Sequence, residues 1–291
     1  MLERILGIIL PVFGVIALGY AYARRFKPDM TWVNRLNLGV LAPALIFSAL
    51  SSKAFDLPAS TLLIAGGAGV VLGSGLLAWP VARWMREDPR TFVPPMMFNN
   101  CGNMGLPLAA LAFGGSGLSA MVAMFTVSNL LQFTLGMHLV DRHAAFWPVL
   151  KNPMVIATFI GFGFAIAQPP APGWLMVAIK MVGDAMIPLM LISLGVRMAE
   201  VSWRGWRLGV IGALVCPLSG IAMALALAPI LGLDAQQRGL LILFGCLPPA
   251  VINFMVAERY QQEPAKVASI VLIGNLLAIA FVPLGLSLAL P

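Results

Sequence analysis

The hydrophobic positions of this chain fall in long unbroken runs rather than in stripes. Ile5 to Ala23 and Leu208 to Leu231 are examples, with no polar face at helical spacing. Runs of about 20 residues match the hydrocarbon thickness of a bilayer at helical rise. Polar residues and Gly/Pro punctuation divide the chain into ten segments, roughly 5–23, 33–51, 58–80, 91–113, 118–140, 153–168, 173–196, 207–231, 237–257 and 266–289. The expected fold is an all-α membrane protein of ten transmembrane helices, one domain over 1–291 with no soluble part.

Composition agrees with that pattern. The chain is 60% hydrophobic and 10% charged, whereas a soluble domain carries about a quarter charged residues. Its net charge of +7 sits in short loops and reads as topogenic, not as a nucleic-acid surface. Loops after odd-numbered segments hold most of the Lys and Arg, from Arg24, Arg25 and Lys27 to Arg204, Arg259 and Lys266. Arg4, Lys53 and Arg238 stand on the other side. By the positive-inside rule the basic side is cytoplasmic and both termini face out. Met1 to Ala23 imitates a signal peptide, but Arg24-Arg25 and Lys27 resist translocation, so it reads as a retained first helix. Cys101, Cys216 and Cys246 show no CxxC or His spacing, so neither a disulfide framework nor a metal site is indicated, and no cofactor is expected.

The chain repeats itself. Pro94-Pro95-Met96-Met97-Phe98-Asn99 matches Pro248-Pro249-Ala250-Val251-Ile252-Asn253, and Asn129-Leu130-Leu131 matches Asn275-Leu276-Leu277. Pro43 and Ser48 match Pro188 and Ser193; Pro11 and Gly19 match Pro153 and Gly161. Five segments per unit, about 1–141 and 152–291, require the second copy to lie upside down. Such 5+5 inverted repeats mark secondary transporters.

Segments four and nine are expected to be broken. A Pro-Pro pair removes two backbone donors, and Asn99-Asn100-Cys101-Gly102-Asn103-Met104-Gly105 adds amides and glycines at mid-depth. Irregular backbone inside a bilayer is tolerated only in protein or beside a watered cavity. Half-helix N-termini and the carboxamides of Asn99, Asn100, Asn103 and Asn253 would then favour a small carboxylate. Substrate-binding residues are therefore expected among Pro94, Pro95, Asn99, Asn100, Asn103, Gly105, Pro248, Pro249 and Asn253. Asn103→Ala and Asn253→Ala are expected to abolish binding and spare the fold. Asn129 and Asn275 suit helix–helix hydrogen bonding as well as ligand contact, and Asn129→Ala is expected to matter less. Ser48 and Ser193 can bond back to their own helices.

Asn100 to Pro107, as N-x-G-N-M-G-L-P, resembles the segment-four signature of the auxin efflux carrier family, and Pro248-Pro249 through Ala257-Glu258-Arg259-Tyr260, with Ser269 and Pro283, is similar to its C-terminal half. The resemblance covers essentially the whole chain. It implies a bile-acid-symporter-type fold whose scaffold and transport bundles move as an elevator, in a bacterial inner membrane. Plant members of that family export the indole-acetic anion, and bacterial relatives carry malonate and malate. The long plant loop and the Asn-Pro-Asn-Thr-Tyr run are absent here, so a small mono- or dicarboxylate is the implied substrate.

Asp184 is the one acid inside a segment, with Lys180 one turn earlier; the pair is read equally as proton coupling or as a structural ion pair. His138 and His143 near one interface suit solvated roles. Sodium coupling and a potential-driven uniporter stay open. No carboxylate pair, Ser/His couple or H-E-x-x-H supports an intramembrane enzyme, whereas a channel remains an alternative. Beyond membrane lipids and substrate, a homodimer is the one partner considered, through Gly66-Gly67-Ala68-Gly69.

Overall fold

A computed structural model describes residues 1–52, 55, 57–142, 150–199 and 205–290, without side chains for 57–59. Lys53, His143 and Arg204 lie outside the described residues. The described residues form helices and their connections, with no strand beyond one isolated bridge. Eleven helical elements follow in order: α1 Leu2–Phe26, α2 Thr31–Leu50, α3 Leu57–Trp84, α4 Pro89–Met97, α5 Cys101–Val140, α6 Pro153–Ala167, α7 Gly173–Met198, α8 Trp206–Ile230, α9 Ala235–Gly245, α10 Ile252–Arg259 and α11 Pro264–Ala289. Seven of them, α1, α2, α3, α5, α7, α8 and α11, are long and apolar enough to cross a membrane. This is an all-α, multi-pass membrane protein.

Local chemistry sets the helix starts. Asp88 accepts the Arg90 N–H at 2.9 Å before α4, and Asn152 accepts that of Met154 at 3.0 Å before α6. Asp234 and Gln237 form a reciprocal capping box at α9. α5 is not one straight rod: Gly114 has φ 71 and ψ −157, a conformation that a Cβ resists, and it divides the element where the sequence separates segments four and five.

The first break lies later than the prolines predict. α4 continues through Pro94 and Pro95 to Met97, and the chain leaves the helix at Phe98 (φ −104, ψ 97). A proline in a helix forfeits only its own N–H bond one turn back, and the Phe98 N–H still reaches the Pro94 carbonyl at 3.0 Å. The second break does fall on Pro248-Pro249, where α9 has already ended at Gly245.

Glycines let helices approach backbone to backbone. A Cβ on Gly19 or Gly195 would strike the facing backbone where α1 crosses α7, and one on Gly183 would meet the Leu45 backbone of α2. Gly161 of α6 faces Leu50 of α2. These contacts draw α1, α2, α6 and α7 into one bundle. α3, α4, α8, α9 and α11 pack as a second bundle, held closest where Gly220 of α8 meets Gly245 of α9. α5 touches both. The Gly66-Gly67-Ala68-Gly69 stripe of α3, expected to be exposed for a dimer, is consumed within the chain. Gly66 faces Leu241, Gly67 faces Met124 and Gly69 faces Leu227.

Candidate site at the helix crossover

The two breaks meet. Asn99 and Pro249 form an antiparallel bridge, in which the Asn100 N–H donates to the Pro248 carbonyl at 2.6 Å and the Ala250 N–H to the Phe98 carbonyl at 2.9 Å. Each interruption thus supplies the backbone partners that the other has lost, which is what makes both tolerable away from water. The bonding pattern is symmetric on exchanging 98 with 248 and 100 with 250, an offset of 150 residues. The sequence match of the two Pro-Pro pairs instead sets Asn99 beside Asn253, four residues further on.

Most of the buried amides hold this crossing in place. Asn99 Nδ2 donates to the Phe244 carbonyl at 2.6 Å. Asn253 Nδ2 donates to the carbonyls of Phe98 and Ala250 at 2.8 and 3.0 Å, while its Oδ1 accepts from Gln132 Nε2 at 3.0 Å. Asn100 Nδ2 donates to Asn275 Oδ1 at 2.6 Å, and Asn275 Nδ2 donates to the carbonyls of Pro249 and Val271. Leaving a buried donor or acceptor unpaired costs about 1–3 kcal/mol, so this web fixes both the depth and the angle of the crossing.

Beside the crossing lies a small cavity of about 70 Å³. Asn99, Asn100, Gly102 and Asn103 line it from one interruption, Ala250, Val251 and Ile252 from the other. Phe125, Ser128, Asn129 and Gln132 of α5 close one wall; Leu38, Met154, Met186 and Met190 of the first bundle face them. The volume exceeds what one water needs but is tight for a fused aromatic ring. Among the described residues, two buried polar atoms at this cavity have no partner, Asn99 Oδ1 and Asn129 Nδ2. The N-terminal ends of α5 and α10 also bring the positive ends of two half-helix dipoles to the crossing, although the N–H groups of Cys101, Met104, Asn253 and Phe254 are already bonded to the carbonyls of Asn99, Asn100, Ala250 and Val251. The arrangement offers donors to an anion without burying a fixed cation.

The expected site residues divide accordingly. Asn99, Asn100 and Asn103 line the cavity, whereas Asn253 is saturated by three hydrogen bonds and acts as a brace. Pro248 and Pro249 form the crossing strand, Pro94 and Pro95 lie back in α4, and none of the four lines the cavity. Gly105 admits close packing, because a Cβ there would meet Leu247 and Cys101. Asn129 proves to be a lining residue with a free donor, and Asn275 a structural one. Ser48 bonds back to the Leu45 carbonyl at 3.1 Å, whereas the buried Ser193 hydroxyl does not. Lys180 and Asp184 pair at 2.6 Å with side chains 66% and 50% exposed, on the outside of α7 and away from the cavity. Gln132 escaped the sequence reading, although its spacing from Asn129 places both on one helix face. The methionine wall carries no polar signature by which a sequence could flag it.

A family model described as "Membrane transport protein" matches residues 4–146 and 142–286. The chain is 25% identical to a protein of Rhizobium meliloti named "Putative malonate transporter", over 97% of this chain and 94% of that one. It is 26% identical to an "Uncharacterized transporter" of Methanothermobacter thermautotrophicus, over 96% and 93%.

Proposed function

The chain belongs to the membrane transport protein family, that of the auxin efflux carriers, and from that premise we propose that it is a secondary transporter of a small organic anion, a mono- or dicarboxylate of the malonate or malate kind. The observation that carries this reading is a tight cavity between two crossing interruptions, with an unpaired buried amide donor on Asn129. Fixed dipoles and amides stabilise a carboxylate there, while the absence of a buried cation lets the empty site cross the membrane without an unpaired charge. The name of the Rhizobium relative favours the same substrate class.

The proposed architecture is ten spans in two inverted halves, about 1–141 and 152–291, in a bacterial inner membrane with both termini periplasmic. Gly114 separates spans four and five, α4 joins the first part of α5 as span four, and α9 joins α10 as span nine. A twofold axis through the Asn99–Pro249 bridge then pairs Asn103 with Asn253. α1, α2, α6 and α7 form the scaffold on which the other bundle slides. Lys180 and Asp184 lie outside the cavity and act as a structural ion pair, so the membrane potential, negative inside, drives anion export.

Counterflow in proteoliposomes tests this. Internal malonate is expected to accelerate entry of labelled malonate saturably, with net flux following an imposed potential. Unitary currents without saturation would establish a channel instead, and no exchange of any small carboxylate would sink the reading.

A further inference from the structure

A second cavity, of about 530 Å³, adjoins the crossover and shares Leu38, Met154 and Ile252 with it as a floor. Two arginines line it. Arg35 comes from α2 in the first bundle, and Arg259 ends α10 next to the second. Neither guanidinium lies within 4.0 Å of a carboxylate among the described residues. Asp29 feels the charge of Arg35 but is turned towards Thr31, whose N–H it accepts at 2.9 Å. Arg259 rests over the ring of Tyr260 at 5.7 Å, an arrangement that steadies a guanidinium without neutralising it.

Two cations that line one recess, neither held in an ion pair among the described residues, raise the local positive potential, and low-dielectric walls focus that field. We infer that Arg35 and Arg259 form a carboxylate-capture vestibule, a subsite that holds the anion on the basic side of the protein before it enters, or after it leaves, the crossover cavity. Guanidinium suits that task because its donors match a carboxylate in a fork. The floor shared by the two cavities makes the subsite continuous with the site below. One arginine stands on the first bundle and the other on α10 beside the second, so a dicarboxylate held by both is bound more tightly than a monocarboxylate. The identity of the anion rests on the function proposed above; the capture of anions by the arginine pair does not.

Met255 also lines the vestibule and is 38% exposed, while Cys101, Cys216 and Cys246 are all buried. A Met255→Cys variant therefore reports on the recess through its reaction with thiosulfonate reagents of opposite charge. The anionic reagent is expected to react faster than the cationic one. The ratio of the two rates should fall by about tenfold in Arg35→Gln/Arg259→Gln and stay high in Arg35→Lys/Arg259→Lys. Malonate should slow the labelling only when the arginines are present, and the glutamine pair should raise KM for malonate on that side with little change in kcat. A charge ratio equal in all three proteins overturns the vestibule, whatever the flux does. A ratio that responds while no small carboxylate protects or crosses leaves the vestibule standing and removes the carrier reading instead.

Discussion

At the residue scale the decisive contrast is between two asparagines. Asn253 spends its whole amide on the crossing, whereas Asn129 keeps a buried N–H pair with no acceptor. Asn129→Ala is therefore expected to weaken carboxylate transport by tenfold or more, about the 1.5–3 kcal/mol of a hydrogen bond to a charged group. Its melting temperature in detergent should hardly change, because an unpaired polar atom is removed. Asn253→Ala is expected to do the opposite, losing about 1–3 kcal/mol of stability, because Gln132 Nε2 is left without its acceptor while the Phe98 and Ala250 carbonyls each lose one of two donors. Equal effects of both substitutions on stability would contradict this division. The sequence alone pointed to the cluster from Asn99 to Asn103, since so many amides and glycines have no place inside an ordinary span. It set Asn253 above Asn129 as a binding residue, because the Phe98 carbonyl that engages Asn253 lies 155 residues away in the chain and leaves no local signal.

At the scale of elements, the breaks were legible and one of their positions was not. Equating the two Pro-Pro pairs placed both interruptions on proline, yet α4 absorbs its pair and yields only at Phe98. The backbone exchange between segments 98–100 and 248–250 sets the register, and it is a long-range property. A second long-range link ties the start of α4 to the turn between α10 and α11. Thr91 donates to Glu263 at 2.6 Å, Gln262 to Asp88 at 2.9 Å, and Lys266 bridges Glu87 and Glu263. Hydrogen bonds from Lys266 and then Thr91 hold the Glu263 carboxyl below its ordinary value of 4.5. A lowered carboxylate stabilises the fold above its unfolded pKa and loses that contribution as pH falls through the lowered value. Thermal unfolding in detergent should accordingly lose a small increment on acidification below about pH 4.5. Glu263→Gln should lack that increment at neutral pH and show a flatter acid limb; an unchanged acid limb would show that the link carries no stability. Close helix contact offers a sharper test. Gly220→Ala puts a methyl against the Gly245 carbonyl of α9 and should cost about 1–3 kcal/mol, while Gly163→Ala, open on all sides, should melt as the parent does.

For the whole molecule, the two faces of the bundle interface differ. α2 runs from the Arg35 end, where the vestibule opens, to Leu50 at the far end. There Ser119 of α5 donates to the Ala49 carbonyl at 3.2 Å and meets Ser52 Oγ at 3.3 Å. These contacts join α5 to the first bundle at the end away from the arginines, whereas the cavity shares its Leu38, Met154 and Ile252 walls with the vestibule. An elevator cycle must part Ser52 from Ser119 to expose the cavity to that far side. Hydroxyls this close can be replaced by cysteines, and in Ser52→Cys/Ser119→Cys a disulfide should form on oxidation with little movement. The bridged protein is expected to lose carboxylate exchange, to regain it on reduction, and meanwhile to keep rapid labelling at Met255→Cys, because the vestibule side stays open. Helices that merely breathe around a fixed pore would transport equally well with the bridge complete. Quantitative cross-linking with undiminished exchange would therefore exclude sliding of one bundle on the other, whereas loss of exchange with the vestibule still reactive separates a trapped carrier from a misfolded one.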